Sequence, residues 1–359
     1  MIVIPPSPFS YAQALARGMS RREIEWLLEA GEIVRLRQGW YAHPTLDDSR
    51  TGWEARTDQH LDRLRNALAS RPGHAASHTT AALLHGLAVT VATGTPVHLT
   101  TIDRVPSSRR YPGLRIHRSE TVANDTELVE GMRSTGLVRT IADVLRTRTL
   151  PHGVAMLDDV LRRGLASVSE VRQVIDAQAR WGGRPKAVAA THLADPGRET
   201  WGESFSFVHL HLQGQPLPLP QVAVYDAGKK FLARVDGLWP ERGVVGECDG
   251  EMKYFLDDLD VDATPEETVL RHLAAEEVRQ ARIEATGLGV VRWSPAQVRD
   301  DPDGVARRVN RAAGQVRPDE FTGWVRWDGE LRKLPFTVDR PAIDPETLRY
   351  RRRRRPAHY

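Results

Sequence analysis

The chain has 359 residues, which is too long for one ordinary hydrophobic core and predicts two or three domains. Hydrophobic residues make up 40% of it, and no apolar run approaches the ~20 residues of a transmembrane helix, which argues against a membrane protein. The amino terminus lacks a basic leader followed by an apolar stretch, so we expect a cytoplasmic protein. The single cysteine, Cys248, excludes an intramolecular disulfide and a cysteine-based zinc site.

The net charge is +3, which permits nucleic-acid binding without demanding it. The positions of the arginines are more informative, because many of them lie in short clusters. These clusters are Arg21-Arg22, Arg35 with Arg37, Arg109-Arg110, and the run Arg351 to Arg355. Clustered arginines neutralise phosphates and supply sequence-independent affinity for DNA or RNA. The carboxy-terminal run is equally compatible with phosphate contact and with a solvated tail.

Residues from about 8 to 43 predict a small compact unit. One short helix begins near Ser10, and a second begins after Ser20, whose spacing to Glu23 is that of a capping box. Two short strands follow, with a turn at Gln38-Gly39. Helix, turn, helix and β-hairpin is the order of a winged helix-turn-helix.

The arginines of this unit occupy the positions at which a winged helix-turn-helix contacts DNA. Arg21 and Arg22 open the second helix, at the end that usually enters the major groove. Arg35 and Arg37 lie on the wing, beside the phosphate backbone. We therefore predict that these four residues bind DNA. The alternative is a small capping subdomain that makes protein contacts.

Residues from about 50 to 178 predict a mixed α/β region. The predicted helices are 53–70, 79–85, 137–145 and 154–161, and the predicted strands are 97–101 and 114–117. We find no catalytic constellation in this region. His74 and His78 have the spacing of a helical metal pair, but no nearby carboxylate completes a site, which favours capping or core roles.

Glycines and prolines over 181–198 predict a linker before a last domain. The elements predicted after it are a helix at 198–213, strands at 221–225, 232–236 and 244–249, a helix at 265–286, a strand at 289–293 and a closing helix within 295–310. This α-β-β-β-α-β order suits one central sheet with helices on its faces.

Two carboxylates lie on neighbouring strands of a predicted hairpin. With the tip at 241–242, Asp236 lies opposite Glu247, and their Cβ atoms are roughly 5 Å apart. Two ionised carboxylates that close repel each other unless a cation or a shared proton lies between them. The pair therefore predicts a divalent-metal site.

Asp249 follows on the same face of the strand and is a further candidate ligand. Cys248 points the other way, which favours a buried structural thiol over a nucleophile. The alternative to a metal site is an ordinary hairpin with charged residues on its solvent side.

The acidic residues follow the order of a nuclease core. Glu203 on a helix, Asp236 at a strand end and Glu247-Cys248-Asp249 on the next strand resemble the PD-(D/E)xK nucleases. The strings Val235 to Trp239 and Glu247 to Gly250 are similar to those of the subgroup related to very-short-patch-repair endonucleases. This resemblance implies a restriction-endonuclease-like α/β/α core. It also implies Mg²⁺, or Mn²⁺, that activates a water and stabilises charge on the scissile phosphate.

The nuclease resemblance implies a role for each matching residue. Asp236 and Glu247 would be the principal metal ligands, and Glu203 would be an accessory acid that binds metal or orients water.

The chain departs from the nuclease pattern in its positive charges. Asp249 stands where the wider superfamily has a lysine that places the nucleophile or the phosphate, and Glu277 replaces a lysine of the related motif. Lys253 and Arg279 are the candidates for the missing cationic help.

The amino-terminal and middle regions resemble a second family. Gly18 to Ile24 and Gly31 to Tyr41 are similar to the winged-helix domain of AbiEi-like antitoxins from type IV toxin-antitoxin systems. Ser77 to Gly86 and Thr140 to Asp143 resemble the longer members of that group. The resemblance implies DNA binding and a cognate toxin protein as a partner.

The sequence thus predicts an α/β multidomain protein. Its predicted parts are a winged helix-turn-helix at 1–48, a middle α/β domain at 49–180, a linker at 181–198, an endonuclease-like domain at 199–312 and an extension with a basic tail at 313–359. One hypothesis is a DNA-binding protein that hydrolyses phosphodiesters with Mg²⁺, which Glu203, Asp236 and Glu247 favour. The other is a non-catalytic antitoxin-type regulator with a nuclease-like scaffold, which Asp249 favours. A protein-interaction module without nucleic acid is a third.

Overall fold

The computed structural model describes residues 9–29, 33–37, 39–42, 52–92, 94–102, 109–118, 125–178, 181–249 and 265–341. The chain divides into two compact units, Met1–Thr147 and Arg148–Tyr359. Both contain helices and sheets, which confirms the mixed α/β, multidomain prediction. Within these ranges no helix combines the length and the apolar character that crossing a membrane requires.

The first unit begins with two short helices and a small antiparallel sheet. The elements are β1 (Phe9–Ser10), α1 (Tyr11–Ala16), α2 (Arg21–Glu29), β2 (Val34–Arg37) and β3 (Trp40–Ala42), with the strand order β1-β3-β2. Both predicted helices and the predicted hairpin are confirmed. Strand β1 is absent from the predicted elements because two residues are too few to show the alternation of a strand.

Capping boxes fix the starts of both helices. The Gln13 N–H donates to Ser10 Oγ over 3.1 Å, and the Ser10 N–H donates to the Gln13 side chain over 2.7 Å. Glu23 and Ser20 repeat this exchange over 3.2 Å and 2.6 Å. Each cap stabilises its helix by about 1 kcal/mol. The helices then bury a small core formed by Phe9, Ala14, Met19, Ile24, Leu27, Ile33 and Tyr41.

The rest of the first unit is a six-stranded mixed sheet with helices. Its elements are α3 (Gly52–Ala69), β4 (His74–Ala76), α4 (His78–Leu84), β5 (Val97–Thr101), β6 (Arg109–Tyr111), β7 (Leu114–His117), β8 (Thr126–Val129), β9 (Met132–Thr135) and α5 (Leu137–Thr147). The strand order is β6-β7-β5-β4-β9-β8, with β5 parallel to β7 and β4 parallel to β9. The three helices, β5 and β7 match the predicted elements.

The second unit opens with helices and continues into another six-stranded sheet. Its elements are α6 (Leu150–Arg162), α7 (Val168–Ala177), α8 (Arg184–Leu193), α9 (Trp201–Leu212), β10 (Leu219–Tyr225), β11 (Phe231–Trp239), β12 (Val244–Cys248), α10 (Pro265–Glu284), β13 (Gly289–Trp293), α11 (Pro295–Asp300), α12 (Pro302–Gln315), β14 (Trp324–Trp327) and β15 (Glu330–Arg332). From α9 to β13 the observed order is the predicted α-β-β-β-α-β.

The stretch 181–198, predicted as a linker, contains the helix α8. Gly183, with φ +84°, caps the helix, and Pro185 lies in its first turn. These two residues therefore start a helix instead of marking an irregular linker. The following segment is held to α6, because Asp158 accepts from Arg198 over 2.9 Å and from the Asp195 N–H over 2.7 Å. This stretch is therefore an ordered part of the second unit.

The sheet of the second unit has the order β13-β12-β11-β10-β14-β15, and β12 is parallel to β13. Strands β14 and β15 come from the predicted extension at 313–359, and β14 pairs with β10. These strands thus enlarge the sheet, so this part of the extension belongs to the same core. That core contains Leu219, Val222, Val224, Ala233, Val235, Leu238, Val245, Ile283, Leu288, Phe321, Val325 and Leu334.

The hairpin of β11 and β12 has the predicted register. Gly237 pairs with Gly246 and Leu238 with Val245, so continuing the register by one step places Asp236 opposite Glu247. A Cβ on Gly237 would lie 2.6 Å from the Phe207 ring, and one on Gly246 would lie 2.5 Å from the Trp293 ring. Aromatic side chains therefore fill one face of the hairpin. The two carboxylates lie on the other face, because neighbours on a strand alternate.

Candidate functional site

The centre of the candidate site is the carboxylate pair on β11 and β12. Asp236 Oδ2 accepts a hydrogen bond from the Cys248 N–H over 2.8 Å. Glu247 is only 5% exposed, and its Oε2 accepts from the Arg279 guanidinium over 2.9 Å. Its other oxygen, Oε1, is buried and accepts no hydrogen bond. A buried oxygen without a donor is costly, and a bound cation or a proton would satisfy it.

Burial raises the pKa of Glu247 to about 7, and the nearby Asp236 carboxylate adds to this increase. Arg279 and Arg292 act in the opposite direction. Without a cation, the carboxyl of Glu247 therefore holds a proton for much of the time at neutral pH.

Glu203 lies in the first turn of α9 and is 3% exposed. Its Oε1 accepts from the Thr200 hydroxyl over 2.9 Å, and its Oε2 accepts from the Glu199 N–H and the Gln221 amide over 3.0 Å and 2.9 Å. Burial raises its pKa, and repulsion from Asp236 contributes, so these two carboxylates interact electrostatically. Both oxygens of Glu203 nevertheless have hydrogen-bond donors, and the residue helps to cap α9.

Asp249 lies just beyond β12 and is held by an arginine. Arg292, on β13, donates to both of its carboxylate oxygens over 3.0 Å and 2.6 Å, and also to Glu276 over 2.7 Å. The parallel pairing of β12 with β13 brings Arg292 beside Glu247. Both oxygens of Asp249 are thus engaged in a bidentate ion pair, which competes with metal binding. Arg292 is absent from the predicted site residues because it lies on a different strand, 43 residues along the chain.

Of the two candidate cationic residues, the structure describes Arg279. Arg279 lies on α10 beside Glu247, with 33% of its side chain exposed. Lys253 lies outside the described residues. Cys248 is buried, as predicted, and burial raises the pKa of its thiol to about 12, so the thiol is protonated at neutral pH.

The donor set fits a divalent cation at Asp236 and Glu247. Carboxylate oxygens suit Mg²⁺, and Glu247 Oε1 is a buried acceptor without a partner. Among the described residues, no three acids of this site have ligand atoms that all lie within 4.8 Å of one another. The geometry therefore favours Asp236 and Glu247 as ligands, because hydrogen bonds already occupy the carboxylate oxygens of Glu203 and Asp249.

Three of the four predicted DNA-binding arginines, Arg21, Arg22 and Arg35, are exposed at the surface of the first unit. The Arg21 side chain is 78% exposed and pairs with Glu25 over 2.9 Å, and Arg22 is also exposed. The exposed Arg35 on β2 places its guanidinium carbon 5.9 Å from the centre of the Tyr41 ring. Arg37 lies on the same strand, but its side chain is outside the described residues.

An open groove of about 320 Å³ brings α2 and the hairpin together. Its lining includes Arg21, Arg35 and Tyr41, so arginines from both elements share one surface. Trp26 on α2 is 56% exposed and is absent from the predicted site residues. The sequence could have indicated this exposure, since a tryptophan outside the apolar face of an amphipathic helix points to solvent.

Comparison with known proteins finds a similarity in the amino-terminal segment. Residues 6–44 match a family described as "Transcriptional regulator, AbiEi antitoxin". No curated protein matches the chain. The segment that contains α1, α2 and the β2–β3 hairpin is therefore similar to AbiEi antitoxin regulators, as its motifs indicate.

Proposed function

We propose that the protein is a DNA-binding transcriptional regulator of the antitoxin type, in which residues 9–42 act as a winged helix-turn-helix. The observation that carries this proposal is the family match over residues 6–44, which spans the surface shared by Arg21 and Arg35. A cognate toxin protein is the partner that this similarity suggests.

The arrangement of charge supports this assignment. Arg21 and Arg22 lie at the start of α2, where backbone N–H groups and the helix dipole also favour phosphate. Arg35 extends the positive surface onto the hairpin, next to Tyr41, whose ring holds the guanidinium. Arg21 makes a salt bridge to Glu25 in the absence of DNA, but an exposed pair of this kind contributes little and can exchange for phosphate.

The test measures DNA binding by the full chain with a short mixed-sequence duplex at several salt concentrations. We expect Arg21→Ala and Arg35→Ala to weaken binding, and each to lower the slope of log affinity against log salt by about 0.9. The matched control is Arg65→Ala, because Arg65 is another exposed arginine of the first unit with a helical carboxylate partner. Unchanged affinity and slope in both variants would contradict the proposed surface.

A second function has its own supporting observation, which is the unpartnered Oε1 of Glu247 opposite Asp236. We propose that α9 to β13 form a PD-(D/E)xK-like core that hydrolyses phosphodiester bonds of DNA with Mg²⁺ or Mn²⁺. The bound metal would lower the pKa of a water and stabilise charge on the phosphate.

The residues of this chain would divide the remaining tasks. Asp236 and Glu247 would hold the cation, and Glu203 would orient a water or accept a proton from it. Arg279 is positioned to replace the lysine of related nucleases, because its half-buried guanidinium reaches the same carboxylate. Arg279 binds Oε2 of Glu247 and leaves Oε1 to a cation, so its guanidinium would lie beside the metal site, where it could also donate to a phosphate oxygen.

The test is cleavage of supercoiled plasmid and short oligonucleotides with Mg²⁺, Mn²⁺ or EDTA. We expect metal-dependent nicking that is lost in Asp236→Asn and in Glu247→Gln and retained in Glu330→Gln, a substitution of an exposed glutamate on β15. No nicking by the native chain, with DNA binding intact, would assign the core to a scaffold role in the regulator.

A further inference from the structure

Three histidines from separate elements meet in the first unit. His78 is the first residue of α4, His98 lies on β5, and His117 ends β7. Strands β5 and β7 are parallel neighbours, so His98 and His117 lie two residues apart along adjacent strands, on the same side of the sheet. Among the described residues, these histidines form a group whose ligand nitrogens all lie within 4.8 Å of one another.

The distances are close to those of a zinc site. His98 Nδ1 and His117 Nε2 are 3.0 Å apart and share a hydrogen bond. Zinc binds imidazole nitrogens at about 2.0–2.1 Å in a tetrahedron, which places two such nitrogens about 3.4 Å apart. For a metal ion to replace the shared proton, the two nitrogens would separate by about 0.4 Å and both rings would turn toward the ion.

The third ring is already adjacent to the other two. The ring centres of His78 and His117 are 3.8 Å apart in a stacked arrangement, and those of His78 and His98 are 5.6 Å apart. A ligand nitrogen of His78 already lies within 4.8 Å of those of the other two histidines, and the χ2 torsion that aims it is soft. In the structure His78 Nδ1 lies 3.1 Å from the Ser77 hydroxyl, which can orient the ring through a hydrogen bond.

The backbone conformation of His78 helps to place its ring beside the other two histidines. Its φ is +53°, in the left-handed region that residues other than glycine rarely adopt. Such a conformation is strained and persists where the surroundings hold it in place. Here it begins α4 with the ring directed against the two strand histidines.

The three rings are suited to metal binding and can be reached from solvent. His78 is buried, whereas His98 and His117 are half-buried. Burial lowers the pKa of His78 well below its usual value and that of His117 to about 4, so both are neutral at pH 7, which is the form that binds metal. Arg139 and Arg146 oppose a cation here, and the buried Asp143, which pairs with both, offsets part of their charge.

We propose that His78, His98 and His117 bind one zinc ion that fastens the start of α4 to β5 and β7. Three protein ligands leave a fourth position for water or another ligand. Imidazole nitrogens prefer late first-row metals to Mg²⁺, so this site selects a different ion from the carboxylate pair of the second unit.

The test uses the full chain, freed of metal with a chelator and then titrated with Zn²⁺, with Co²⁺ as a spectroscopic substitute. We expect one equivalent of Zn²⁺ to bind, Co²⁺ to give the visible d–d bands of a tetrahedral site, and zinc to slow hydrogen exchange in peptides containing β5 and β7. At a free Zn²⁺ concentration 100 times Kd, the unfolding equilibrium of the first unit should shift about 100-fold toward the native state. Mg²⁺ should have no such effect.

Variants assign the zinc to these residues. His98→Gln and His117→Gln should each lose the Co²⁺ bands and the zinc-dependent protection, whereas His192→Gln, at an exposed histidine of the second unit, should keep both. Asp236→Asn should also keep both, because its carboxylate belongs to the other metal site.

The zinc proposal is overturned if the native chain gains no protection from zinc in the first unit, a result that does not depend on the folding of any variant. It is also overturned if the protection persists in both histidine variants, since the trio would then be a hydrogen-bonded part of the core.

Discussion

Replacing Glu247 by glutamine tests the electrostatic account of the candidate site. Its carboxyl is buried, and its pKa is about 7 against an ordinary value of 4.5. For an acid with a raised pKa, the unfolded chain loses its proton first, so the free energy of unfolding falls as pH rises from about 4.5 to 7. The gap between these two pKa values corresponds to about 3 kcal/mol at most.

Glutamine does not ionise, so in EDTA the Glu247→Gln protein should lose less stability than the native chain between pH 5 and pH 8. The difference should be about 1–3 kcal/mol, because the pKa of about 7 already includes the attraction to Arg279 and the pH range covers most of the titration of Glu247. Adding Mg²⁺ at pH 8 should stabilise the native chain and leave the variant unchanged, since the cation offsets the repulsion between Glu247 and Asp236.

The assay is hydrogen exchange in peptides covering 231–249, measured at both pH values after correction for the intrinsic exchange rate. This readout reports the hairpin itself and does not require the two units to unfold together. Glu330→Gln is the control, because that glutamate is exposed. Equal pH dependence of protection in the native chain and in Glu247→Gln would refute the reasoning.

Three further outcomes follow from packing and charge. Gly246→Ala should lower the free energy of unfolding in urea by about 1–3 kcal/mol, because its Cβ would overlap a tryptophan ring, whereas Gly314→Ala, in open space on α12, should raise it by about 0.5–1 kcal/mol. Burial lowers the pKa of His60 to about 4, so exchange protection of α3 should decrease as pH falls from 6.5 to 4, and less so in His60→Gln. Arg292→Gln should free the Asp249 carboxylate and tighten Mg²⁺ binding measured by calorimetry, and weaker binding would contradict its role as a competitor.

The parts of the structure that the sequence predicts are those set by neighbours in the chain. The boundaries of α1 and α2 follow from Ser10, Ser20 and their capping partners, which act within one helical turn. The facing of Asp236 and Glu247 follows from a hairpin, whose turn fixes the register of every pair beyond it. In both cases the interacting residues are close in sequence, so spacing alone is enough to place them.

The sequence does not predict contacts between residues that are far apart along the chain and are brought together by strand pairing. The ion pair between Asp249 and Arg292 requires β12 to lie parallel to β13, and the connection between these strands includes all of α10. The three histidines come from a helix and two strands, so no spacing in the sequence marks them as a group. The short strands β4, β6, β8 and β9 have three or four residues each, too few for alternation to be read with certainty.

The arginines around the acidic site explain how one arrangement is compatible with both proposed functions. Carboxylates outnumber guanidiniums there. Glu247, Asp249 and Glu276 pair with Arg279 or Arg292, and Asp236 and Glu203 add two more negative charges nearby. In a scaffold, a proton on Glu247 and the ion pairs with these arginines are enough to limit the repulsion. In a nuclease, Asp236 and Oε1 of Glu247 would hold a divalent cation in place of that proton, and Arg279 on Oε2 would lie beside the phosphate. The choice between the two functions therefore depends on whether Glu247 Oε1 takes up a metal ion or a proton at neutral pH, which the Mg²⁺ dependence of hairpin protection measures directly.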